Sequence, residues 1–405
     1  MRRVVISGVG AISPLGDNVV SLIEGITQGK SAVEYMDGWN QYVGLRSLVG
    51  AYSVCKDEKS IPRQSRRSMS RMSIFATKAA EEAIADAGMD EGMLRSGRTG
   101  CIIGSTMGSP KSLSDTFEIM LPDRDLTKLS SMKFFQCVSH TAAMNVAQYL
   151  GIRGRVMATS AACASALQAI GTGFELVRHG MQEVVLCGGA EELHPTVTGS
   201  FDILFATSTG YNNDPKKTPR PFDKKRDGLV CGEGSGILVL EEYEQAKKRG
   251  AKIYAEVVGY NTCGSGLHVS QSNCAVMETC MKESLKDAGI SAGDVDYICA
   301  HATATIHGDK EEAKAIKAVF GASIPVSSFK GYMGHTLGAS GALELIVAID
   351  GMQKGVVYPT KNLDEVAPEC EGIMHVKEPL KKDINILVKN CFAFGGINAA
   401  LVCKK

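Results

Sequence analysis

The chain has 405 residues, 44% of them hydrophobic, which is enough apolar material for a large core shared by two joined halves. Lysine plus arginine and aspartate plus glutamate both number 44, so neither nucleic acid nor an anionic membrane is expected as the main partner. The 13 cysteines are odd in number and form no CxxC pair, which speaks against a disulfide framework and a zinc site.

The first apolar run, Val4-Val5-Ile6-Ser7-Gly8, is too short for a signal peptide, and no later run is long enough to span a bilayer. A cytoplasmic protein is expected. Residues 81–88 read as a helix ending at Gly88, followed by the buried strand Cys101-Ile102-Ile103-Gly104. Next come the strand Val156-Met157-Ala158-Thr159, leading into Cys163 and a helical run, and the apolar run Val184-Val185-Leu186-Cys187 ending at Gly188-Gly189. A charged helix over 241–249 stops at Gly250.

After that boundary the series starts again, with a strand over 253–258. Residues 282–289 form a helix ending at Gly289, followed by Tyr297-Ile298-Cys299-Ala300. Val326-Ser327-Ser328 leads through Gly334-His335 into a helical run, and Cys391-Phe392-Ala393-Phe394 ends at Gly395-Gly396. The pattern predicts an internal duplication, with halves over 1–250 and 251–405, each an α/β unit of strands alternating with helices. In open α/β sheets, sites lie beyond the carboxyl ends of strands, and two such ends are expected to face each other here.

Cys163 stands where a strand turns into a helix. Free backbone N–H groups and the helix dipole favour a thiolate there, while a buried structural cysteine fits the same position. His301 and His335 each follow a predicted strand of the second half. A single histidine is more often structural, but two at strand ends opposite a cysteine point to a site.

Six motifs then act together: Ser160-Ala161-Ala162-Cys163-Ala164-Ser165, Gly188-Gly189-Ala190-Glu191-Glu192, Arg226-Asp227-Gly228, His301-Ala302-Thr303-Ala304-Thr305, Lys330-Gly331-Tyr332-Met333-Gly334-His335 and Phe392-Ala393-Phe394-Gly395-Gly396-Ile397-Asn398. Over essentially its whole length the chain resembles the elongating β-ketoacyl-[acyl carrier protein] synthases of the thiolase superfamily, with the second motif pointing to the synthase I branch. The resemblance implies a thiolase-like fold of duplicated α/β halves in αβαβα layers. It implies a homodimer without cofactor or metal that serves fatty acid synthesis. Cys163 takes an acyl group from an acyl carrier protein, and His301 and His335 assist decarboxylation of a malonyl thioester whose carbanion attacks the acyl-enzyme.

By the same resemblance Lys330, Glu344, Asp309 and Glu312 are supporting polar residues, and the N–H groups of Cys163 and Phe394 form an oxyanion hole. Thr303 and Thr305 hold the pantetheine arm, Phe394 touches substrate, and Met107 lines the acyl pocket. Arg63, Arg67, Arg124 and Lys128 form a basic patch for the carrier protein. Ala302, Ala304, Ala393 and Ile397 depart from the family pattern, which bears on substrate range more than on reaction type. Alternatives are a condensing enzyme of a dedicated polyketide or aryl polyene pathway, and a non-catalytic partner subunit. A thiolase fits less well, because Cys391 does not stand in a Cys-x-Gly motif.

Overall fold

A computed structural model describes residues 1–269 and 271–405. Eleven strands join in one hydrogen-bonded sheet. In the first half the order from the outer edge inward is Val156–Met157, Thr99–Gly104, Val184–Glu191, Gly234–Glu242 and Val4–Ile12. In the second half it is Pro325–Ser327, Tyr297–Cys299, Ile386–Phe392, Ile397–Lys404 and Ala255–Gly264, with the short strand Met374–His375 added outside. Counted along the chain within its own half, each set runs third, second, fourth, fifth, first. The predicted duplication is thus one topology used twice. The halves meet where their first strands pair antiparallel, Val4 opposite Val257 and Ile6 opposite Ala255.

Strands such as Val4–Ile12 and Val184–Glu191 are buried along their whole length, so both faces of the sheet must be covered. Arg71–Ala87 and Thr141–Leu150 cover the first half from outside, and Cys274–Ala288 and Ile306–Phe320 do the same for the second. Ser165–Arg178 and Ser340–Lys354 pack against each other between the two inner faces. Twelve of the 15 residues of Ser340–Lys354 are buried, as an apolar helix in a central layer requires. Five layers result, α, β, α, β, α, with one large core between the sheets and one beneath each outer helix layer.

The helix-then-glycine signals hold in both halves. Arg71–Ala87 ends at Gly88 and Cys274–Ala288 at Gly289, with φ of 61° and 66°, a left-handed conformation that costs other residues roughly 1–2 kcal/mol. Three local expectations change. The strand expected over 156–159 is only Val156–Met157, exposed at the sheet edge, and the second half begins its first strand at Ala255 rather than at 253. The two glycine pairs are not equivalent. Gly188 and Gly189 lie inside a strand, where a Cβ on Gly189 would stand 2.1 Å from the Gly338 carbonyl oxygen, whereas Gly395 and Gly396 make a turn with φ of 88° and 73°.

Candidate active site

Cys163 follows Ala162, whose φ is +46°, and lies two residues before the helix Ser165–Arg178. Ser165 fastens this turn, its Oγ accepting from the Ala161 N–H at 2.9 Å and donating to the Ala162 carbonyl at 2.7 Å. His301 leaves the end of the strand Tyr297–Cys299, as expected. His335 does not sit at a strand end. It follows the short helix Lys330–Met333, in a turn that can lie against the first half because Gly189 leaves room for Gly338. The Glu191 carboxylate fixes that approach, accepting from the N–H of Gly338 at 2.9 Å and of Thr106 at 2.8 Å. The thiol sulfur of Cys163 and a ring nitrogen from each histidine lie within 4.8 Å of one another, and the two rings meet edge to face at 5.3 Å.

His335 Nδ1 accepts from the Leu337 N–H at 3.3 Å, which assigns its proton to Nε2. That Nε2 is buried without a partner among the described residues, and so is Nδ1 of His301. Burial, joined by the charges of Lys330 and Lys389, pushes both imidazoles well below the usual histidine range, so both are neutral donors or acceptors at physiological pH. Burial pushes the Cys163 thiol up to about 12, with Lys330 pulling the other way. The resting group is therefore a thiol. This corrects the expectation of a resident thiolate, because enclosure outweighs the helix terminus.

Beneath the histidines lies an ionic cluster. Lys330 donates to Glu344 Oε1 at 2.6 Å and to the His301 carbonyl at 2.5 Å. Glu312 accepts from the N–H of His301 at 2.8 Å and of Ala302 at 2.6 Å. Asp309 holds the next turn, accepting from Ala304 at 3.0 Å and Phe222 at 2.7 Å, and burial lifts it to about 7. Ala304 has a φ of +69°, a left-handed conformation that alanine adopts at a cost.

A small cavity of about 30 Å³ is lined by Cys163, His301, His335, Thr303, Thr305 and Phe394 together. The hydroxyls of Thr303 and Thr305 are 3.0 Å apart. A second cavity shares Thr305, Gly308 and Phe394 with it and opens beside Phe205 and Ile306, both exposed.

Two family models cover this framework: "Beta-ketoacyl synthase, N-terminal domain" matches residues 1–246 and "Beta-ketoacyl synthase, C-terminal domain" matches residues 254–364. The chain belongs to the β-ketoacyl synthase family. It is 35% identical to 3-oxoacyl-[acyl-carrier-protein] synthase 1 of Haemophilus influenzae, over 100% of this chain and 99% of that one. A β-ketoacyl synthase crystal structure from Burkholderia phymatum superposes with a TM-score of 0.97 at 41% identity, covering 100% of both chains. A type II PKS ketosynthase solved in complex with its acyl-carrier protein and bound to a hexaketide gives a TM-score of 0.91 at 31% identity, covering 100% of this chain and 99% of that one. The fold is thiolase-like, and the protein is a condensing acyltransferase.

The synthase does not gather every expected residue around Cys163. Met107 lies outside that cavity, in an open apolar groove of about 710 Å³ with Leu113, Phe117 and Leu121. Arg63, Arg67, Arg124 and Lys128 are all exposed, but Lys128 is paired with Asp123. Sequence reasoning missed Lys389. The signal was a lysine directly after the apolar run Ile386-Leu387-Val388, in a strand that is buried throughout. No helix among the described residues is long and apolar enough to cross a membrane.

Proposed function

We propose that this synthase carries out decarboxylative Claisen condensation in fatty acid synthesis, with Cys163 as the acyl carrier. The observation that carries the reading is the enclosed trio of Cys163, His301 and His335, with a ring nitrogen of each histidine within 4.8 Å of the thiol sulfur and one buried, unpartnered nitrogen on each ring. In the first step Cys163 attacks the thioester of an acylated carrier protein. Its proton passes to a ring nitrogen of His301 and then to the departing carrier thiol, so the nucleophile is activated only as it reacts. The N–H groups of Cys163 and Phe394 stabilise the tetrahedral oxyanion.

In the second step a malonyl thioester loses CO₂. The electron pair released forms an enolate whose oxygen is held by His335 Nε2–H and His301, two donors already fixed in a water-poor cavity. The enolate carbon then bonds to the acyl carbonyl carbon and the Cys163 sulfur leaves as a thiolate, which takes a proton from solvent to return to the resting thiol. Thr303 and Thr305 hold the pantetheine arm.

The partner is an acyl carrier protein, docking on a patch in which Arg63 and Arg67 carry most of the charge. The synthase acts as a homodimer in the cytoplasm. The exposed edge strand Val156–Met157 and the exposed Phe117, Leu121 and Phe134 support a second copy pairing at that edge. We keep the division of the chain near residue 250, where the helix Tyr243–Lys248 ends and the second topology begins. Incubation with an acylated carrier protein is expected to place the acyl group on Cys163, and Cys163→Ala to abolish loading and condensation while the protein stays folded. Acylation at another cysteine would refute the assignment.

A specialised polyketide or aryl polyene substrate is the second reading. The likeness to a polyketide ketosynthase favours it, and a series of acyl carrier substrates decides between the two.

A further inference from the structure

Lys389 lies in the middle of the buried strand Ile386–Phe392 and is 0% exposed. Its ammonium donates to Glu344 Oε2 at 2.6 Å, to the Asn390 carbonyl at 2.8 Å and, at 3.5 Å, to the carbonyl of Ala300. Lys330 binds the other oxygen of the same carboxylate and the next carbonyl along, that of His301. One glutamate thus spaces two ammonium groups that grip successive peptide carbonyls, while Glu312 holds the N–H groups of His301 and Ala302. The backbone carrying His301 is pinned from both sides.

Charge leads to the same place. Lys330 and Lys389 balance Glu344 and Glu312, two cations against two anions, within one buried cluster. Without Lys389 the cluster would carry a net negative charge next to the site where an enolate forms, and in a low-dielectric interior that repulsion is poorly screened. The remaining titratable neighbours of Lys389 are Cys299 on the adjacent strand and Cys391 on its own, and both are neutral thiols because burial pushes them up.

We propose that Lys389 is a positioning residue for the decarboxylation step, balancing Glu344 so that Lys330 stays on the His301 carbonyl and both histidines remain neutral donors to the enolate. The inference rests on the condensation chemistry proposed above. Lys330 and, to a lesser extent, Lys389 both act on the two imidazoles, and Lys330 is the cation that also pulls on Cys163. The two half-reactions should therefore respond differently to its loss.

The test uses the full-length protein with Lys389→Met, which removes charge and hydrogen bonds, and Lys389→Gln, which removes charge but keeps a donor. Acyl loading of Cys163 from an acyl carrier protein is followed by intact mass spectrometry, and CO₂ release from malonyl carrier protein is followed separately, both across pH. At pH 8, loading is expected to stay within about twofold of wild type while decarboxylation falls about tenfold. The acidic limb of loading is expected to move up by about one pH unit, as histidines that lose a neighbouring cation protonate sooner. Should Lys389→Met fail to fold, Lys389→Gln carries the same comparison. Equal losses in both half-reactions, or a limb that stays in place, would show that Lys389 only fills and orders the strand. A wild-type protein that does not load Cys163 overturns the proposed function as well, so the two failures are distinguishable.

Discussion

Cys163, His301 and His335 are all enclosed, and enclosure fixes their resting protonation: a thiol beside two neutral imidazoles. Such a trio needs no preformed thiolate, because the acceptor for the sulfur's proton is already within the 4.8 Å cluster. The acyl-loading rate is accordingly expected to be flat from about pH 7 to 8.5, since neither the depressed histidines nor the raised thiol titrates there. Its acidic limb should lie below the ordinary histidine value of about 6.5, because the folded pKa of His301 is lowered and protonation sets in only at lower pH. Stopped-flow or quenched mass spectrometry of Cys163 loading measures both. A rate climbing tenfold per pH unit across the flat range would mean that free thiolate is the attacking species. The sequence singled out Cys163, His301 and His335, although His335 follows a short helix rather than the strand expected before it. Their protonation was not legible in it, since desolvation depends on what the rest of the chain packs around them.

At the scale of elements, the helix Pro110–Met120 forms one wall of the groove that holds Met107. Ser109 caps its start, and the Glu192 carboxylate accepts from Ser109 Oγ at 2.8 Å and from the Lys111 N–H at 3.0 Å, so the wall is anchored to the strand Val184–Glu191 just behind. Leu113, Phe117 and Leu121 give that wall an exposed apolar face. Met107→Gly is expected to raise kcat/KM for long acyl carrier substrates relative to short ones by about 3- to 10-fold, and Met107→Trp to restrict the enzyme to short chains. An unchanged length profile in both variants would make Met107 a packing residue. The glycine caps of this fold were readable because they act within one turn of chain. The groove was not, because its walls come from two segments well separated along the chain, 107–122 and 196–200.

For the whole molecule, the balanced formal charge hides a local asymmetry. The segment 123–128 sets Arg124 and Lys128 against Asp123 and Asp125, two cations against two anions, with Lys128 and Asp123 directly paired. The segment 63–67 carries Arg63, Arg66 and Arg67 with no acidic residue among them. Carrier binding is therefore expected to weaken about tenfold or more on reversing Arg63 and Arg67 to glutamate, and to fall with added salt, while Lys128→Glu has a much smaller effect. Fluorescence anisotropy with a labelled acyl carrier protein at two ionic strengths measures this. Unchanged affinity in the double reversal would remove the patch from the docking surface.

The amino-acid sequence by itself determined the duplicated α/β plan, both helix-to-strand repeats, the cysteine at a strand-to-helix turn and the histidines of the second half, because each is written in local periodicity, capping and short motifs. Tertiary structure alone decided what depends on segments far apart in the chain. Gly189 admits Gly338 and so brings His335 up to Cys163, and Lys389 reaches Glu344 across 45 positions to complete a charge balance that no motif contains. Lys128 is offset by Asp123, and Cys163 rests as a thiol although it lies close to a helix terminus. The physical reason is the same in each case: close approach, desolvation and Coulomb interaction are set by distance in space, which periodicity along the chain does not encode.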